Sequence, residues 1–271
     1  ASSSTSGTTF FTNSDCSTPL TGGDTVAVTT GASSGSFYFK KSIAGTPTLT
    51  ASGFTVNGTK AYTVNPTSAH ALEFTSSAQT VAAGTCSSAT TARRRDIFNN
   101  ITNIASATTV NLSSPFMTFY SDSSCSIGVG SVAIASGATQ ASFYFKQLTT
   151  GSPVITISGA TVDATQTQTI EAGSPYQLQI ISGTSSVTAG SCSGVVTVMR
   201  KDQNGNINSS NTVTTVTPTG SGLSFYSDSS CSSSITTSNI IAGSSTTQFY
   251  FSSTTAGSPA LNIAGLTDND Q

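Results

Sequence analysis

An internal repeat constrains this chain more than any other feature. The segment Phe119–Cys125 recurs as Phe225–Cys231, and Phe10–Cys16 is a looser copy of both. A second kind of segment, Val81–Cys86, recurs as Val187–Cys192. The offset is 106 positions from Phe119 to Phe225 and from Cys86 to Cys192. That period is too long for a solenoid repeat, and it matches one β-sandwich domain of about 100 residues. We therefore expect an all-β chain of tandem β-sandwiches.

The order of the two segment types places the domain boundaries. Each Val81-type segment joins the Phe119-type segment after it, which gives complete units at 65–170 and 171–271. Residues 1–64 then form the C-terminal part of a further unit, so the first domain is incomplete. On this division we expect the chain to be a piece of a longer array, and the alternative is that a neighbouring molecule completes the first domain.

Short clusters of β-branched and aromatic residues between Gly, Pro, Asn and Ser predict strands, and no segment has a sustained helical period. Phe249 and Phe251 alternate with Tyr250, so both phenylalanine rings are expected to face the core. In the last unit the predicted strands are Tyr176–Ser182, Val195–Lys201, Asn211–Thr217, Leu223–Ser227, Asn239–Ala242, Thr246–Ser252 and Ala260–Ala264.

One of these strands runs into a distinctive turn. Val195–Lys201 is followed by Asp202-Gln-Asn-Gly-Asn206, Ala172-Gly173 opens the unit, and Gly222-Leu223 precedes a later strand. These residues resemble the bacterial immunoglobulin-like repeats of invasin- and intimin-type surface proteins, in which a strand enters a D-x-x-G-N turn. The resemblance implies immunoglobulin-like sandwiches. The first repeat reads Asp96-Ile-Phe-Asn-Asn100, and Asn in place of Gly tolerates the positive φ of the turn.

Five cysteines occupy matched repeat positions, which indicates disulfides in an oxidising compartment rather than a metal site. We favour pairs 39 residues apart, Cys86 with Cys125 and Cys192 with Cys231. Cys16 is then unpaired or bonded to another chain. The alternative pairs Cys16 with Cys86 and Cys125 with Cys192, and it leaves Cys231 single.

The ionisable residues predict no catalytic site, metal or cofactor. His70 is the only histidine, and it aligns with Tyr176, so we expect a packing or surface position there. No second histidine is available to act as the base of a Ser-His-Asp or Cys-His arrangement. Asp122 and Asp228 recur after Phe-Tyr-Ser, where aspartate caps turns. We expect a protein that is not an enzyme.

Two polar runs have a structural and a functional interpretation. The oxygens of residues 202–206 favour a tight turn, with a loose calcium site between domains as the alternative. Arg93–Arg95 is the only charge run; we expect a half-exposed strand edge, with an anionic ligand or partner contact as the alternative.

Recurrent exposed groups suggest surface contacts. Tyr38, Tyr144 and Tyr250 are predicted on the outward face of equivalent strands, where they would contact a ligand such as a sugar, or a neighbouring domain. The possible glycosylation sites, each the Asn of an N-x-Ser/Thr sequence, are Asn57, Asn100, Asn111 and Asn208.

Composition narrows the function. Only 7% of residues are charged and the net charge is −2, which argues against nucleic-acid binding. No apolar run is long enough to predict a membrane span. We expect a secreted, cell-surface structural or adhesive protein: a stalk, fibre or filament that self-associates or continues into further repeats, with a surface glycan as a possible partner. The alternatives are an array of carbohydrate-binding modules and an accessory region of a larger secreted enzyme.

Overall fold

The computed structural model describes residues 1–4, 6–21, 24–183 and 186–266. These residues form strands, turns and irregular segments and contain no helix, so the described chain offers no helical membrane span. The strands assemble into several small sheets around separate cores. The all-β, tandem-sandwich prediction is confirmed.

The N-terminal part contains five strands in two small sheets. One sheet has the order β1-β4-β5 and the other is the β2-β3 hairpin. Phe10 is buried and packs edge-on against Phe37, with ring centroids 5.6 Å apart. The strands are β1 (Ser2–Ser3), β2 (Thr8–Phe11), β3 (Tyr38–Lys41), β4 (Thr48–Ala51) and β5 (Gly58–Ala61).

The second sandwich follows, and its strands are β6 (Ala71–Phe74), β7 (Thr80–Ala82), β8 (Thr90–Arg95), β9 (Thr108–Ser113), β10 (Thr118–Tyr120), β11 (Ser131–Ile134), β12 (Gln140–Lys146), β13 (Val154–Ser158), β14 (Ala164–Thr167) and β15 (Thr169–Glu171). Antiparallel sheets β10-β12-β8-β6 and β11-β9-β13-β14 enclose one core, and β15 pairs in parallel with β7. Phe143, Phe145, Ile155 and Ile157 are fully buried because alternate residues of their strands point inward.

The third sandwich repeats this arrangement in β16 (Pro175–Ser182), β17 (Val196–Asp202), β18 (Thr214–Thr219), β19 (Ser224–Tyr226), β20 (Ser238–Ile240), β21 (Thr246–Ser252) and β22 (Asn262–Ala264). All seven strands predicted for this unit are present, with ends that differ by at most three residues. The sheets are β16-β17-β21-β19 and β20-β18-β22. Phe249 is fully buried, whereas Phe251 is only half-buried.

The repeat extends to individual contacts. Phe119 meets Phe143 edge-on with ring centroids 5.9 Å apart, and Phe225 meets Phe249 in the same way at 5.8 Å. The two later sandwiches therefore share a core geometry as well as a sequence pattern.

Each disulfide joins two segments that lie outside the named strands. Cys86 is bonded to Cys125 and Cys192 to Cys231, each across 39 residues, with Cα atoms 5.7 and 5.6 Å apart. Cys16 is a half-buried free thiol. Its φ of 53° matches the 51° and 52° of Cys125 and Cys231, so the turn in the first unit has the backbone of its disulfide-bonded counterparts.

The arginine run is not a strand edge. β8 lies inside its sheet, between β12 and β6. Strand alternation turns Arg94 fully into the core, while Arg93 and Arg95 stay partly exposed and form ion pairs with Glu73. The expectation of a half-exposed edge is wrong for Arg94, because a central strand has one face buried.

Candidate functional site: the joints between sandwiches

An asparagine side chain connects the third sandwich to the second. Asn206 lies in the turn after β17. Its side-chain Nδ2 donates to the Leu148 carbonyl at 2.8 Å, and its Oδ1 accepts the backbone N–H of Thr150 at 3.2 Å. One carboxamide thus pairs with a donor and an acceptor of the preceding sandwich. We call this contact a joint.

The same joint occurs one repeat earlier. Asn100 Nδ2 donates to the Ser42 carbonyl at 2.7 Å, and Asn100 Oδ1 accepts the N–H of Ala44 at 2.8 Å. All three residues precede their counterparts in the later joint by 106 positions. The protein therefore uses one contact twice to connect consecutive units.

A buried carboxylate positions the asparagine of each joint. Asp202 is 1% exposed. Its Oδ1 accepts the N–H groups of Asn204 and Asn206 at 2.9 and 2.8 Å. Its Oδ2 accepts the Asn206 side-chain amide at 2.8 Å and the Gly173 N–H at 2.9 Å. Asp96 is 2% exposed and has the equivalent four bonds, with Thr67 in place of Gly173.

These bonds determine the charge of both acids. Burial opposes ionisation, but the side-chain amide of Asn206 and the backbone N–H groups around Asp202 outweigh it and hold the pKa of Asp202 below its usual range. The pKa of Asp96 is lowered for the same reasons. Four donors occupy the lone pairs of each carboxylate, which is the arrangement of a capped turn. The described residues contain no cluster of His, Cys, Asp or Glu suited to a metal ion.

Two of the differences between the two turns bear on the joints. Gly205 has φ 83° and its counterpart Asn99 has φ 67°, so asparagine adopts the left-handed conformation as the sequence predicted. Asn204 Nδ2 donates to the carbonyl of Ala83 in the second sandwich at 3.1 Å. The counterpart of Asn204 is Phe98, which is half-exposed and has no side-chain amide. The later joint therefore has an additional hydrogen bond.

A buried arginine anchors the segment that follows each turn. Arg200 is fully buried, and its Nε donates to the Asn208 carbonyl at 3.2 Å. The Nη atoms donate to oxygens of Ser210, Thr212, Thr214 and Ser244. Arg94 makes the corresponding bonds to Thr102, Ile104, Ser106, Thr108 and Ala138, and a further bond to the Ala135 carbonyl.

Both guanidinium groups donate hydrogen bonds to carbonyl and hydroxyl oxygens. Burial lowers the pKa of Arg94 and of Arg200, because the surroundings disfavour a charge. Each arginine lies on the strand before a joint turn and donates hydrogen bonds to the loop after that turn. The chain is therefore held in place on both sides of the turn.

The predicted turn caps lie away from the joints. Asp122 binds the hydroxyl of Ser124 and accepts the N–H of Ile127 at 2.7 Å. Asp228 binds Ser230 in the same way and accepts the N–H of Ser233 at 2.7 Å. The serine hydroxyl and these backbone N–H groups lower the pKa of both aspartates.

The recurrent tyrosines lie on the outer faces of their own sandwiches. Tyr144 is paired across strands with Tyr120, and Tyr250 with Tyr226; all four are half-buried. Tyr38 is 40% exposed and lies opposite Phe11. The structure brings no two of Tyr38, Tyr144 and Tyr250 into one site, because each belongs to a different unit.

The fold restricts two of the four possible glycosylation sites. Asn208 is 2% exposed, and its side chain binds the Gly173 carbonyl and the Ser210 N–H, so a glycan there is incompatible with the folded sandwich. The amide nitrogen of Asn100, to which a glycan would be attached, donates to the Ser42 carbonyl in the joint. Asn57 and Asn111 are exposed, and their glycosylation stays a prediction.

The joints and the buried arginines were not predicted from the sequence. Asn100 was predicted only as a turn residue and a possible glycan site. The available signal was the recurrence of an asparagine four residues after the aspartate in both turns. For the arginines it was the shared face of Val196, Val198 and Arg200 in an alternating strand.

No protein-family model matches this chain, and no curated protein sequence is significantly similar to it. Similar solved structures include domains 4–9 of the surface layer protein SbsC, with 19% identity and a TM-score of 0.31 over 97% of this chain and 38% of that one. Another is invasin, a bacterial integrin-binding protein, with 13% identity and a TM-score of 0.41 over 87% and 45%.

A third is a glycosyl hydrolase family 2 member from Bacteroides cellulosilyticus, with 12% identity and a TM-score of 0.32 over 60% of this chain and 21% of that one. The chain thus spans less than half the length of each of these three structures. At these TM-scores the likenesses assign neither a family nor a function.

Proposed function

We propose that this chain is a structural repeat protein of the extracellular surface, without enzymatic activity, that serves as a stalk, fibre or filament. The repeated joint carries this proposal. Contacts between domains of one chain are usually small and permit relative motion. Here the side chain of Asn100 or Asn206 pairs with two backbone groups of the preceding sandwich, and a buried aspartate fixes its orientation.

Two further features support this role. The disulfides Cys86–Cys125 and Cys192–Cys231 favour an oxidising, extracellular environment. The side chains that recur between units lie in turns, cores and joints. This suits a stalk, because a stalk has to keep its units in a fixed arrangement and does not need a binding site for a small molecule.

Distance measurements between spin labels test the joint. Thr118 and Ser224 are exposed at equivalent positions of consecutive sandwiches, and cysteines introduced there in a Cys16→Ser background accept the labels. We expect one narrow distance distribution. Asn206→Ala should broaden it, whereas Asn239→Ala, which removes an exposed asparagine from β20, should leave it unchanged. A distribution that is broad in the parent chain, or unaffected by Asn206→Ala, would contradict the proposal.

Carbohydrate binding is a second candidate function. The tyrosine pairs Tyr120–Tyr144 and Tyr226–Tyr250 recur on one outer face of two sandwiches, and aromatic rings with polar tips suit sugar surfaces. A glycan array probed with the chain and with Tyr144→Ala and Tyr250→Ala tests it. Binding that both substitutions weaken supports this function, and binding indifferent to them overturns it.

A further inference from the structure

The chain contains two Asn-Gly sequences, and one of them lies in a joint. Asn204-Gly205 belongs to the turn that carries Asn206, whereas Asn57-Gly58 leads into β5 of the first unit. Asparagine is a chemically labile residue, and a following glycine has no side chain to hinder attack of its backbone nitrogen on the asparagine side chain. The two pairs therefore mark places where the chain can be modified without an enzyme.

Asn204 makes the additional hydrogen bond of the later joint. Its Nδ2 donates to the Ala83 carbonyl of the second sandwich at 3.1 Å. The amide also lies close to the next residue of that sandwich, since a Cβ on Gly84 would be 2.6 Å from Nδ2. The counterpart in the earlier joint is Phe98, which is followed by Asn99 and has no amide to lose. A change in the Asn204 side chain therefore acts on the later joint.

The turn leaves room for a reaction between Asn204 and Gly205 but restrains both groups. The two residues are exposed, and a Cβ on Gly205 would meet nothing within 4 Å beyond its chain neighbours. The Gly205 N–H donates to the Asp202 carbonyl at 3.1 Å, and the Asn204 amide donates to Ala83. Deamidation requires these bonds to open, so it should be slower at Asn204 than at Asn57, which lies in no joint.

We propose that Asn204 is a deamidation site, and that its conversion weakens the later joint irreversibly. The backbone nitrogen of Gly205 forms a bond to Cγ of Asn204. The Cγ–Nδ2 bond breaks, and the proton of the Gly205 amide leaves with Nδ2 as ammonia. The resulting cyclic imide takes up one water molecule, which cleaves either of its two ring C–N bonds. One product is aspartate, and the other is isoaspartate, in which the main chain runs through Cβ and Cγ.

Both products lose the hydrogen bond to the second sandwich. A carboxylate has no hydrogen to donate, and the carbonyl oxygen of Ala83 is itself an acceptor. A charged oxygen at this place would also have to give up its water in order to stay in the joint. The contact between position 204 and Ala83 therefore becomes repulsive, which favours opening of the joint.

Isoaspartate has a second effect, on the acid that positions Asn206. Asp202 Oδ1 accepts the N–H groups of Asn204 and Asn206, at 2.9 and 2.8 Å. An isoaspartate at position 204 adds one carbon to the main chain between these two N–H groups, so one oxygen can no longer receive both in this geometry. The damage thus reaches the asparagine that the two joints have in common. The inference rests on the later joint as a contact and does not depend on a role as a stalk.

Incubation of the recombinant, unglycosylated 271-residue chain at mildly alkaline pH, followed by peptide mass spectrometry, tests the reaction. Positions 57 and 204 should both show the mass change of NH2 replaced by OH, position 57 earlier. Position 57 is the internal control for the chemistry. Gly205→Asn should suppress the change at position 204 and keep the turn, because the counterpart Asn99 adopts a φ of 67° at this place.

Hydrogen exchange measures the effect on the joint. The Thr150 N–H donates to Asn206 Oδ1 at 3.2 Å, so its exchange reports whether the joint is closed. In Asn204→Asp it should be about 10-fold faster than in the parent chain. The matched variant Asn57→Asp should leave it unchanged. The proposal is overturned by an unmodified position 204 after full conversion of position 57, by equal rates at position 204 in the parent and in Gly205→Asn, or by Thr150 exchange that Asn204→Asp does not alter.

Discussion

Asp202 binds Asn206 at two points, through the backbone N–H and through the side-chain amide, each at 2.8 Å. The second bond uses one hydrogen of the amide, and the same nitrogen donates to the carbonyl of Leu148 in the preceding sandwich. A buried acid therefore orients the group that crosses the joint. Asp96 and Asn100 have the same relationship one repeat earlier.

Asp202→Ala should destabilise the third sandwich by about 2–4 kcal/mol, because it leaves buried N–H groups without their charged acceptor. Urea unfolding measures the free energy of unfolding. Asp163→Ala is the matched control, since Asp163 is exposed. Equal effects of the two substitutions would contradict the role given to Asp202.

The free energy of unfolding should decrease at low pH because of Asp96 and Asp202. The pKa values of Asp96 and Asp202 are lower in the folded chain than the value of about 3.9 expected in the unfolded chain. Their contribution is complete above the unfolded pKa and is lost as the pH falls through the lower folded pKa.

Urea unfolding at a series of pH values from 6 to below 3 checks this dependence. The free energy of unfolding should decrease below about pH 4, and the decrease should be smaller in Asp202→Ala. Part of the dependence should persist in that variant, since Asp96, Asp122 and Asp228 also have lowered pKa values. An identical pH dependence in the two proteins would argue against a lowered pKa at Asp202.

Arg200→Met should cost about 1–3 kcal/mol of stability, since it leaves several oxygens of the loop behind the joint without their hydrogen-bond donor. Lys201→Met is the control: it removes a positive charge from the adjacent residue, whose side chain is half-buried. Hydrogen exchange should become faster around Asn208–Thr214 only in the Arg200 variant. Unchanged exchange there would show that the guanidinium does not hold the loop.

The cysteines provide a matched comparison. Cys231→Ser opens the bond to Cys192 and should cost about 2–4 kcal/mol, because the unfolded chain loses a cross-link. Cys16→Ser removes a free thiol from the equivalent turn and should change stability by less than about 0.5 kcal/mol. Thiol titration of the denatured, unreduced chain should find one thiol in the parent and none in Cys16→Ser. A loss of stability in Cys16→Ser comparable to that in Cys231→Ser would contradict the assignment.

The sequence predicted the features that depend on local pattern. The strands of the third sandwich follow from alternation and turn residues, which act over a few positions. The burial of Arg94 was not predicted, because a charged residue normally indicates exposure. Arg94 is buried because its strand is central in the sheet, and a loop after that strand supplies its hydrogen-bond acceptors. The joint contacts of Asn100 and Asn206 depend on the packing of one unit against the next, and no period within a unit specifies that packing.

The joints also bear on how such a chain is assembled over evolutionary time. The hydrogen bonds that each asparagine makes with the sandwich before it go to main-chain atoms: those of Ser42 and Ala44 in one case, and of Leu148 and Thr150 in the other. These hydrogen bonds therefore place no requirement on the side chains of the residues that receive them. A unit whose backbone is kept at these positions can vary there in sequence and still receive the asparagine of its successor. The exception at the later joint is Gly84, because a Cβ there would lie 2.6 Å from the side-chain amide of Asn204.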